Sequence, residues 1–300
     1  MTLGQLRTFL ALAATGSARA AAERLVVTQP AVSAVIASLQ QEVGVPLVAR
    51  EGRGLRLTAA GDAFADYARR ALGLLDEGMA AAVGAAQPER GRVRLAAVTS
   101  AGEHLAPSLL ASFVTRHPGV DVSLEVGNRR RVWDLLAHHE ADVAIGGRPP
   151  ATANTLATRP HQLVLVAVHP GGGNRSKLRS ATRSVSLDEL AQATWLLRES
   201  GSGTRASAEE LLGQLDVAPR VLTLGSNGAI VESVRIGLGI TLISRDAVDE
   251  YLLNGALEEW RYGPLPLERA WHLVRAANKP LAATHQLFLD HLIASGWRRA

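Results

Sequence analysis

The chain has 300 residues, too many for one simple core, and 47% of them are hydrophobic, which excludes an intrinsically disordered protein. It carries 32 Lys and Arg against 28 Asp and Glu, a formal net charge of +4, and it has no cysteine. This composition excludes a disulfide scaffold, a cysteine nucleophile and a thiolate metal site. No apolar run approaches the roughly 20 residues of a membrane span, and the first residues do not resemble a signal peptide, so a cytoplasmic protein is expected.

The first 57 residues predict three short helices followed by a two-stranded wing. Apolar residues spaced three and four apart, from Leu3 to Ala13, form one face of the first helix. Ser17 and Thr28 are suited to cap the second and third helices. Pro30 lies in the first turn of the third helix, where its missing N–H costs nothing. A glycine turn within residues 46–57 predicts the wing.

Residues 58–87 predict a long alanine-rich helix that Thr58 opens. Its three interior glycines weaken an isolated helix by about 1 kcal/mol each, so a partner helix is expected to stabilise it in a dimer. The segment 87–91 that follows predicts a hinge. Two series of residues seven apart predict the coiled-coil seam: Phe64, Ala71 and Gly78, and Ala68, Leu75 and Ala82.

From residue 92 onward, predicted strands and helices alternate along the chain. Such alternation is typical of an open parallel α/β sheet, and here it predicts one or two of them. The segment 149–160 contains three prolines and predicts a crossover. A crossover at this point divides the second half of the chain into two lobes.

Five short stretches near the N-terminus carry a family resemblance, and they are 9–17 (FLALAATGS), 21–25 (AAERL), 28–33 (TQPAVS), 44–50 (GVPLVAR) and 57–61 (LTAAG). In this order and spacing they resemble the N-terminal domain of LysR-type transcriptional regulators. The second half matches more loosely, and its GSGT stretch at 201–204 is similar to the subset that includes carbon-fixation and sulfur-assimilation regulators. The chain departs from the family pattern at Ala18, Ala20, Ala34 and Val48.

The resemblance implies an α+β multidomain fold. A winged helix-turn-helix domain covers 1–57, a linker and dimerisation helix covers 58–87, and a two-lobed α/β effector domain similar to periplasmic binding proteins covers 88–300. Lobe I is expected over about 91–161 and 268–300, and lobe II over 162–267. The expected partners are double-stranded DNA with an inverted repeat, a small anionic metabolite, further copies of the chain in dimers and tetramers, and RNA polymerase. No enzyme activity, cofactor, metal ion or membrane is expected.

The start of the third helix has residue types suited to DNA. A helix N-terminus favours phosphate, a glutamine can bond an adenine edge through two hydrogen bonds, and a small side chain can contact a thymine methyl. Arginines of the wing can reach backbone phosphate or a minor groove. The ordinary alternative is the solvated surface of a three-helix bundle. The predicted DNA-binding residues are Thr28, Gln29, Pro30, Ala31, Ser33, Arg50 and Arg53.

Three strand-to-helix turns in the second half are candidate effector-binding segments. Each places hydroxyls and free N–H groups at a helix N-terminus, which is an anion-binding arrangement, although the same residues are favoured as plain helix caps. Three such turns in one α/β unit favour a site in the cleft between the lobes. The predicted effector-binding residues are Thr99, Ser100, Ser202, Gly203, Thr204 and Ser226.

Signals for catalysis are weak. The run 138–140 (HHE) lacks the spacing of a helical zinc site, the glycines at 237 and 239 precede a strand, and 171–177 lacks the spacing of a phosphate-binding loop. An enzyme or small-molecule-binding protein with an unrelated helical N-terminal domain is the main alternative, and a structural nucleoid protein is a weaker one. Residues 28–33, an arginine wing and a dimerising helix together favour the regulator.

Overall fold

The computed structural model describes residues 1–52, 54–170, 182–277 and 281–300. Its chain separates into two units, Met1–Ala82 with Ala137–Glu140, and Val83–Leu136 with Ala141–Ala300. Arg53 and the glycine-rich segment 171–177 of the sequence analysis lie outside the described residues.

The helices are α1 (Leu3–Thr15), α2 (Ala18–Leu25), α3 (Gln29–Val43), α4 (Ala59–Ala86), α5 (Thr99–His104), α6 (Ala106–Arg116), α7 (Arg129–Ala137), α8 (Leu187–Gln192), α9 (Gly203–Gln214), α10 (Asn227–Arg235), α11 (Asp249–Leu253) and α12 (Ala283–Ala294). The strands are β1 (Val48–Glu51), β2 (Gly54–Leu57), β3 (Arg92–Val98), β4 (Asp121–Gly127), β5 (Val143–Gly146), β6 (Ala153–Val168), β7 (Thr182–Ser184), β8 (Trp195–Leu197), β9 (Val221–Thr223), β10 (Thr241–Ser244), β11 (Leu257–Arg261), β12 (Leu267–Ala276) and β13 (Arg298–Arg299).

The first unit begins with the three predicted helices and the predicted wing. The caps are as expected, because Ser17 accepts a hydrogen bond from the Ala20 amide and Thr28 accepts one from the Ala31 amide. Antiparallel β1 and β2 form the wing. The apolar faces of α1, α2 and α3 meet in one core, whose largest buried side chains are Phe9, Leu12, Leu39 and Leu47.

One glutamine of α3 fixes the start of the wing. Gln40 Oε1 accepts hydrogen bonds from the Leu47 amide at 2.8 Å and the Val48 amide at 3.1 Å. The second wing strand is held as well, since the Leu55 amide donates to the Gly16 carbonyl at 2.8 Å. The wing therefore has a defined position relative to α3, the helix that carries the predicted DNA-binding residues.

The long helix α4 confirms the predicted element but corrects two of the six residues of its predicted seam. Phe64 packs edge-on against Phe9 with ring centroids 5.4 Å apart, and Ala68 is buried within the chain, so neither side chain is exposed to a partner helix. The apolar side chains that α4 exposes are spaced three, four and one residues apart along one face: Tyr67, Ala71, Leu74, Leu75, Met79, Ala82 and Val83.

A close approach explains a glycine in the middle of α4. A Cβ on Gly73 would lie 2.2 Å from the carbonyl oxygen of His138, so no larger residue fits there. Two imidazoles reach carboxylates of α4 beside this point. His138 contacts Asp66 at 2.5 Å, and His139 contacts Glu77 at 2.8 Å. The histidine pair thus packs residues 137–140 onto α4 within the first unit.

The second unit is built on a mixed sheet, which corrects the prediction of purely parallel sheets. Its strand order is β4-β3-β5-β12-β6-β11-β7, and β10 and β13 also pair with β6. The pairs β3–β4 and β3–β5 are parallel, whereas β6 is antiparallel to β10, β11, β12 and β13. A short parallel pair, β8 and β9, continues from this sheet, because a parallel bridge joins Trp195 of β8 to Ile240, the residue before β10.

Most of the predicted crossover at 149–160 belongs to one long strand, β6. Strand β6 has 16 residues, and it pairs with β12 from Ala153 to Leu163. Pro160 lies in the stretch 159–162 of β6, where β12 is the described partner strand. Because no second described strand pairs with this stretch, the missing N–H of Pro160 interrupts no hydrogen bonds on the other edge of β6. Because β6 runs from lobe I into lobe II and β12 begins at the boundary between them, these two strands form the connection between the lobes.

Each lobe packs helices on both faces of its strands. In lobe I, Phe113 of α6 meets Phe288 of α12 edge-on at 5.1 Å, and Val132 and Leu135 of α7 cover the opposite face. In lobe II, α8 and α9 cover one face and α10 and α11 cover the other. The predicted two-lobed α/β arrangement is confirmed.

The predicted hinge at 87–91 is a packed turn. Pro88–Arg90 form a short 3-10 helix, and the Thr284 hydroxyl donates to the Pro88 carbonyl at 2.9 Å. The Asp121 amide donates to the Gly91 carbonyl at 3.0 Å, and a Cβ on Gly91 would lie 2.0 Å from Thr284 Oγ1. These contacts tie the segment to α12 and β4, which corrects its interpretation as a free hinge.

Candidate ligand site and nucleic-acid interface

A cavity of about 140 Å³ lies between the two lobes of the second unit. Its walls come from the carboxyl ends of β3 and β8, from the first turn of α9, and from β6 and β12 where these strands pass between the lobes. The polar and charged side chains of its lining are Thr99, Ser100, Asn128, Arg129, Arg148, His161, Arg198, Ser202, Thr204, Ser207, Arg269 and His272.

The structure brings together all but one of the predicted effector-binding residues. Thr99 and Ser100 line the cavity from lobe I, and Ser202, Gly203 and Thr204 line it from lobe II. The exception is Ser226, which does not belong to the lining. Its hydroxyl accepts a hydrogen bond from the Ala229 amide at 3.1 Å and caps α10.

The first turn of α9 offers unused donors to the cavity. Ser202 caps the helix by accepting from the Arg205 amide at 3.5 Å. The Gly203 and Thr204 amides lie in the first turn of α9. No helix carbonyl precedes them to accept their hydrogens, so both keep free N–H groups. No hydrogen bond of the Thr204 hydroxyl is found among the residues that the structure describes. Two amides and one hydroxyl are therefore available to an anion.

Arg198 is the central polar group of the site, and sequence reasoning did not single it out. It is 5% exposed, follows β8 directly, and holds the carboxylate of Glu199 through two hydrogen bonds of 2.8 and 3.1 Å. It also donates to Asn227 Oδ1 at 2.6 Å and to Thr99 Oγ1 at 3.3 Å. Burial acts to raise the pKa of Glu199, but the hydrogen bonds from Arg198, from a backbone amide and from Asn128, with the positive charge of Arg198, together outweigh it and hold that pKa below its usual value.

Hydrogen bonds between buried or half-buried groups join the lobes beside the cavity. Arg198 of lobe II reaches Thr99 of lobe I, and Asn227 Nδ2 of lobe II donates to Ser100 Oγ of lobe I at 3.2 Å. In the opposite direction, Asn128 Nδ2 of lobe I donates to Glu199 Oε1 at 3.4 Å. The available signals were the position of Arg198 directly after β8 and that of Asn227 in the turn between β9 and α10.

The inner wall of the cavity is aromatic. His161 of β6 stacks on Trp271 of β12 with ring centroids 3.8 Å apart and an angle of 7° between the rings. Burial lowers the pKa of His161 to about 4, although the nearby Asp246 carboxylate acts in the opposite direction. The imidazole is therefore neutral at pH 7. No short-range motif marks this pair, because antiparallel pairing of distant segments creates it.

The start of α3 is presented on the surface of the first unit. Thr28, Gln29, Pro30, Ala31 and Ser33 are all exposed. The Thr28 hydroxyl is used as the helix cap, but no hydrogen bond of the Gln29 amide group occurs among the described residues. Its side chain is thus free to reach a base edge.

The wing beside α3 contributes positive charge. Arg50 is exposed and has no carboxylate partner within the described ranges, whereas Arg56 lies 3.6 Å from Glu51. The helix N-terminus and the wing arginine lie within one small domain, and such an arrangement suits a duplex backbone next to a major groove.

The described ranges contain neither a metal-ligand cluster nor a candidate membrane-spanning helix. No group of three or more His, Cys, Asp or Glu side chains is placed to hold a metal ion. No helix in these ranges combines the length and the apolar character that a membrane span needs.

Comparison with known proteins identifies the family. The LysR substrate binding domain matches residues 86–297, and the family described as bacterial regulatory helix-turn-helix protein, lysR family, matches residues 3–62. The chain belongs to the LysR family. LysR proteins similar to this chain include the HTH-type transcriptional activator CmpR of Synechocystis, 33% identical over 98% of this chain and 95% of that one. The HTH-type transcriptional regulator CfxR of Cupriavidus necator is 36% identical over 98% and 91% of the two chains.

Solved structures agree with this assignment. The regulatory domain of CcmR from Synechocystis, solved in complex with 2-PG, is 31% identical with a TM-score of 0.60, covering 68% of this chain and 96% of its own. Full-length CbnR in complex with its target DNA has a TM-score of 0.70 at 23% identity, covering 98% of this chain and all of its own. The second likeness concerns the fold alone. The chain is a LysR-type transcriptional regulator with a DNA-binding and an effector-binding domain.

Proposed function

We propose that this regulator binds an inverted-repeat operator and changes its DNA complex when a small anionic metabolite fills the cavity between its lobes. The cavity carries this proposal. It combines free amides at the start of α9 with hydroxyls from both lobes and four arginines, and no carboxylate stands in its described lining. A phosphate or carboxylate group fits such a set of donors and charges.

The proposed contacts of the ligand follow the geometry. Thr204 and the Gly203 amide bind the anion from lobe II, and Thr99 and Ser100 bind it from lobe I. Because one ligand then touches both lobes, it stabilises the lobe arrangement that brings these groups together. The ligand can shift DNA binding only to the extent that it binds one lobe arrangement more tightly than the other.

The proposed DNA contacts belong to α3 and the wing. Gln29, Ala31 and Ser33 read base edges, Thr28 and Pro30 place the helix N-terminus near phosphate, and wing arginines bind the backbone. Arg50 supports this contact by its exposure, and Arg53 is proposed from its sequence position.

We infer the assembly from α4. Its exposed stripe is continuous with the sequence seam at Leu75 and Ala82, and pairing with a second copy removes that apolar surface from water. Dimers through residues 58–87 and tetramers through the effector domains present two DNA-binding domains to the two halves of an operator. RNA polymerase at the same promoter is the further partner.

The domain division supports these roles. We assign 1–57 to DNA binding, 58–87 to dimerisation and 88–300 to the effector, with lobe I over about 91–161 and 268–300 and lobe II over 162–267. A regulator of this kind acts in the cytoplasm, where its operator lies. We also infer that the chain is not an enzyme, since its relatives are transcription regulators and the Ser202 hydroxyl accepts a hydrogen bond as a helix cap.

A thermal-shift experiment on the full-length protein tests the proposal, with 2-PG as the probe because a structural relative was solved with it. A ligand that binds only the folded state adds about 2.7 kcal/mol at a hundred times Kd. The unfolding temperature of the wild type should rise with 2-PG or inorganic phosphate, and that of Thr204→Ala should not. Equal rises in both proteins would place the anion elsewhere.

A further inference from the structure

The carboxylate of Glu210 reaches two arginines of the cavity at once. Glu210 Oε2 lies 2.5 Å from Arg148 Nη2 and 3.9 Å from Arg269 Nη2. Both arginines line the cavity, whereas Glu210 does not. One negative charge of the protein therefore stands beside two positive charges that face the ligand space.

The position of Glu210 on α9 follows from helix geometry. Ala206 and Ser207 line the cavity, and Glu210 comes four and three residues after them. Residues at these spacings share one helix face, so Glu210 lies one turn further along the cavity-facing side. Since Arg148 follows β5 in lobe I and α9 belongs to lobe II, the ion pair crosses the cleft between the lobes.

The ion pair between Arg148 and Glu210 is weak enough for another anion to replace Glu210. The Arg148 side chain is 51% exposed and that of Glu210 is 40% exposed, and exposed pairs of this kind are weak. The hydrogen bond from Arg148 lowers the pKa of Glu210, so the carboxylate is charged at neutral pH. Arg148 itself has a φ of 43°, in the left-handed region that arginine seldom adopts, and this backbone turn directs its side chain.

The other carboxylate at the site differs from Glu210 in this respect. Glu199 is bound through two hydrogen bonds by the buried Arg198, which also holds Asn227 and Thr99. Release of Arg198 would leave a buried charge without its partner, which is costly. Arg148 has no such restriction, because solvent reaches both members of its pair.

We propose that Glu210 is a resident counter-ion of the effector cavity, which competes with the anionic ligand for Arg148 and Arg269. The inference rests on the proposed anion site between the lobes. In the free protein Glu210 neutralises Arg148 across the cleft. A ligand anion takes over Arg148 and Arg269 and displaces the carboxylate into solvent, so Glu210 raises the ligand concentration at which the cavity fills.

The test is isothermal titration of the full-length protein with inorganic phosphate. Glu210→Gln keeps the size of the side chain and removes its charge, so phosphate should bind about two- to fivefold more tightly than to the wild type. Glu209→Gln is the matched control. Glu209 is the neighbouring residue with the same charge, but it pairs with Arg205 at 2.7 Å and does not line the cavity.

A double-variant cycle separates the ion pair from general charge effects. In an Arg148→Gln background, the gain from Glu210→Gln should fall to less than half of its value in the wild type. An unchanged phosphate affinity in Glu210→Gln, or an equal gain in phosphate affinity in Glu209→Gln, would contradict the counter-ion role of Glu210. An undetectable affinity in both the wild type and Glu210→Gln would overturn it as well.

Thr204→Ala distinguishes this inference from the proposed function. If Thr204→Ala binds phosphate as the wild type does, while Glu210→Gln binds it more tightly, the proposed Thr204 contact is wrong and the counter-ion role of Glu210 is supported. If Thr204→Ala loses phosphate binding and Glu210→Gln shows no gain in affinity, the proposed anion site is supported and the counter-ion role of Glu210 is wrong.

Discussion

Asn227 at the start of α10 donates a hydrogen bond of 3.2 Å to the hydroxyl of Ser100 at the start of α5, and the two residues are 2% and 4% exposed. The bond joins lobe II to lobe I in a region that excludes water. Arg198 donates to the same asparagine at 2.6 Å, so one buried network links the strand-to-helix turns of both lobes to the cavity wall. A ligand at Ser100 thus adjoins the groups that hold the lobes together.

Loss of the hydroxyls at the cavity should separate effector response from DNA binding. Ser100→Ala and Thr204→Ala each remove a proposed ligand contact, and neither residue belongs to the DNA-binding domain. We expect 2-PG to leave the DNA complexes of both variants unchanged, while their DNA affinity without ligand equals that of the wild type. Gel-shift titrations with and without 2-PG measure this. If both variants respond to 2-PG as the wild type does, the turns that carry Ser100 and Thr204 do not bind the effector and serve only as helix starts.

Ser100→Ala should also carry a stability cost. It removes the acceptor of the buried Asn227 Nδ2 at 3.2 Å and leaves this nitrogen only the longer bond to Glu103 Oε2 at 3.5 Å, and the loss of one such hydrogen bond costs about 1 kcal/mol. Urea unfolding should show this loss in Ser100→Ala, and Thr204→Ala should show little, because the Thr204 hydroxyl has no partner in the described part of the chain.

Base reading and backbone binding should respond differently to substitution. Gln29→Ala is expected to cost roughly 1–3 kcal/mol on the operator and to relax base preference, since it removes a two-bond contact to a base edge. Arg50→Ala is expected to weaken binding to all sequences alike and to reduce the dependence on salt. Fluorescence anisotropy on operator and random duplexes separates the two. Equal losses on both duplexes for Gln29→Ala would remove it as a base reader.

The exposed stripe of α4 predicts a charge-sensitive dimer. Leu75 is 47% exposed in the single chain, and a glutamate there would place a charge in the seam. Leu75→Glu should give monomers at micromolar concentration in sedimentation experiments. Ala80→Glu is the matched control, because Ala80 lies about 140° from Leu75 around the helix and outside the exposed stripe. A wild type that sediments as a monomer, or a dimer in Leu75→Glu, would contradict the assembly.

The neutral imidazole at the inner wall predicts a pH dependence of stability. The pKa of His161 is about 4 in the folded protein against 6.5 in the reference state, because burial disfavours its charged form. Between these values the unfolded chain binds a proton that the folded chain does not, so stability falls as the pH drops from 6.5 towards 4. His161→Gln removes this contribution. Urea unfolding at pH 7.5 and 5.5 should show a smaller decrease for the variant, and equal decreases would contradict the shift.

The sequence predicted the parts of the fold that neighbouring residues determine. Ser17, Thr28 and Ser202 cap helices through bonds to amides three residues ahead, so the pattern is visible in a short window. The mixed sheet was not predictable in this way. Its centre is the pairing of β6 with β12, whose residues are separated by about a hundred positions and carry no motif for strand direction.

The same distinction applies to the candidate site. Thr99, Ser100, Ser202, Gly203 and Thr204 follow strands directly, and the rule for strand ends placed them in one cavity. In contrast, the stacked pair of His161 and Trp271, and the meeting of Arg148, Glu210 and Arg269, depend on where β6 and β12 cross between the lobes.

The account depends most on the claim that an anion between the lobes changes the DNA complex. DNase footprinting of the full-length protein on an operator with an inverted repeat tests this directly, with and without 2-PG. We predict that 2-PG changes the length or the internal cleavage pattern of the wild-type footprint and leaves that of Thr204→Ala unchanged. A wild-type footprint that 2-PG does not alter, although 2-PG raises the unfolding temperature of the same protein, would contradict the claim.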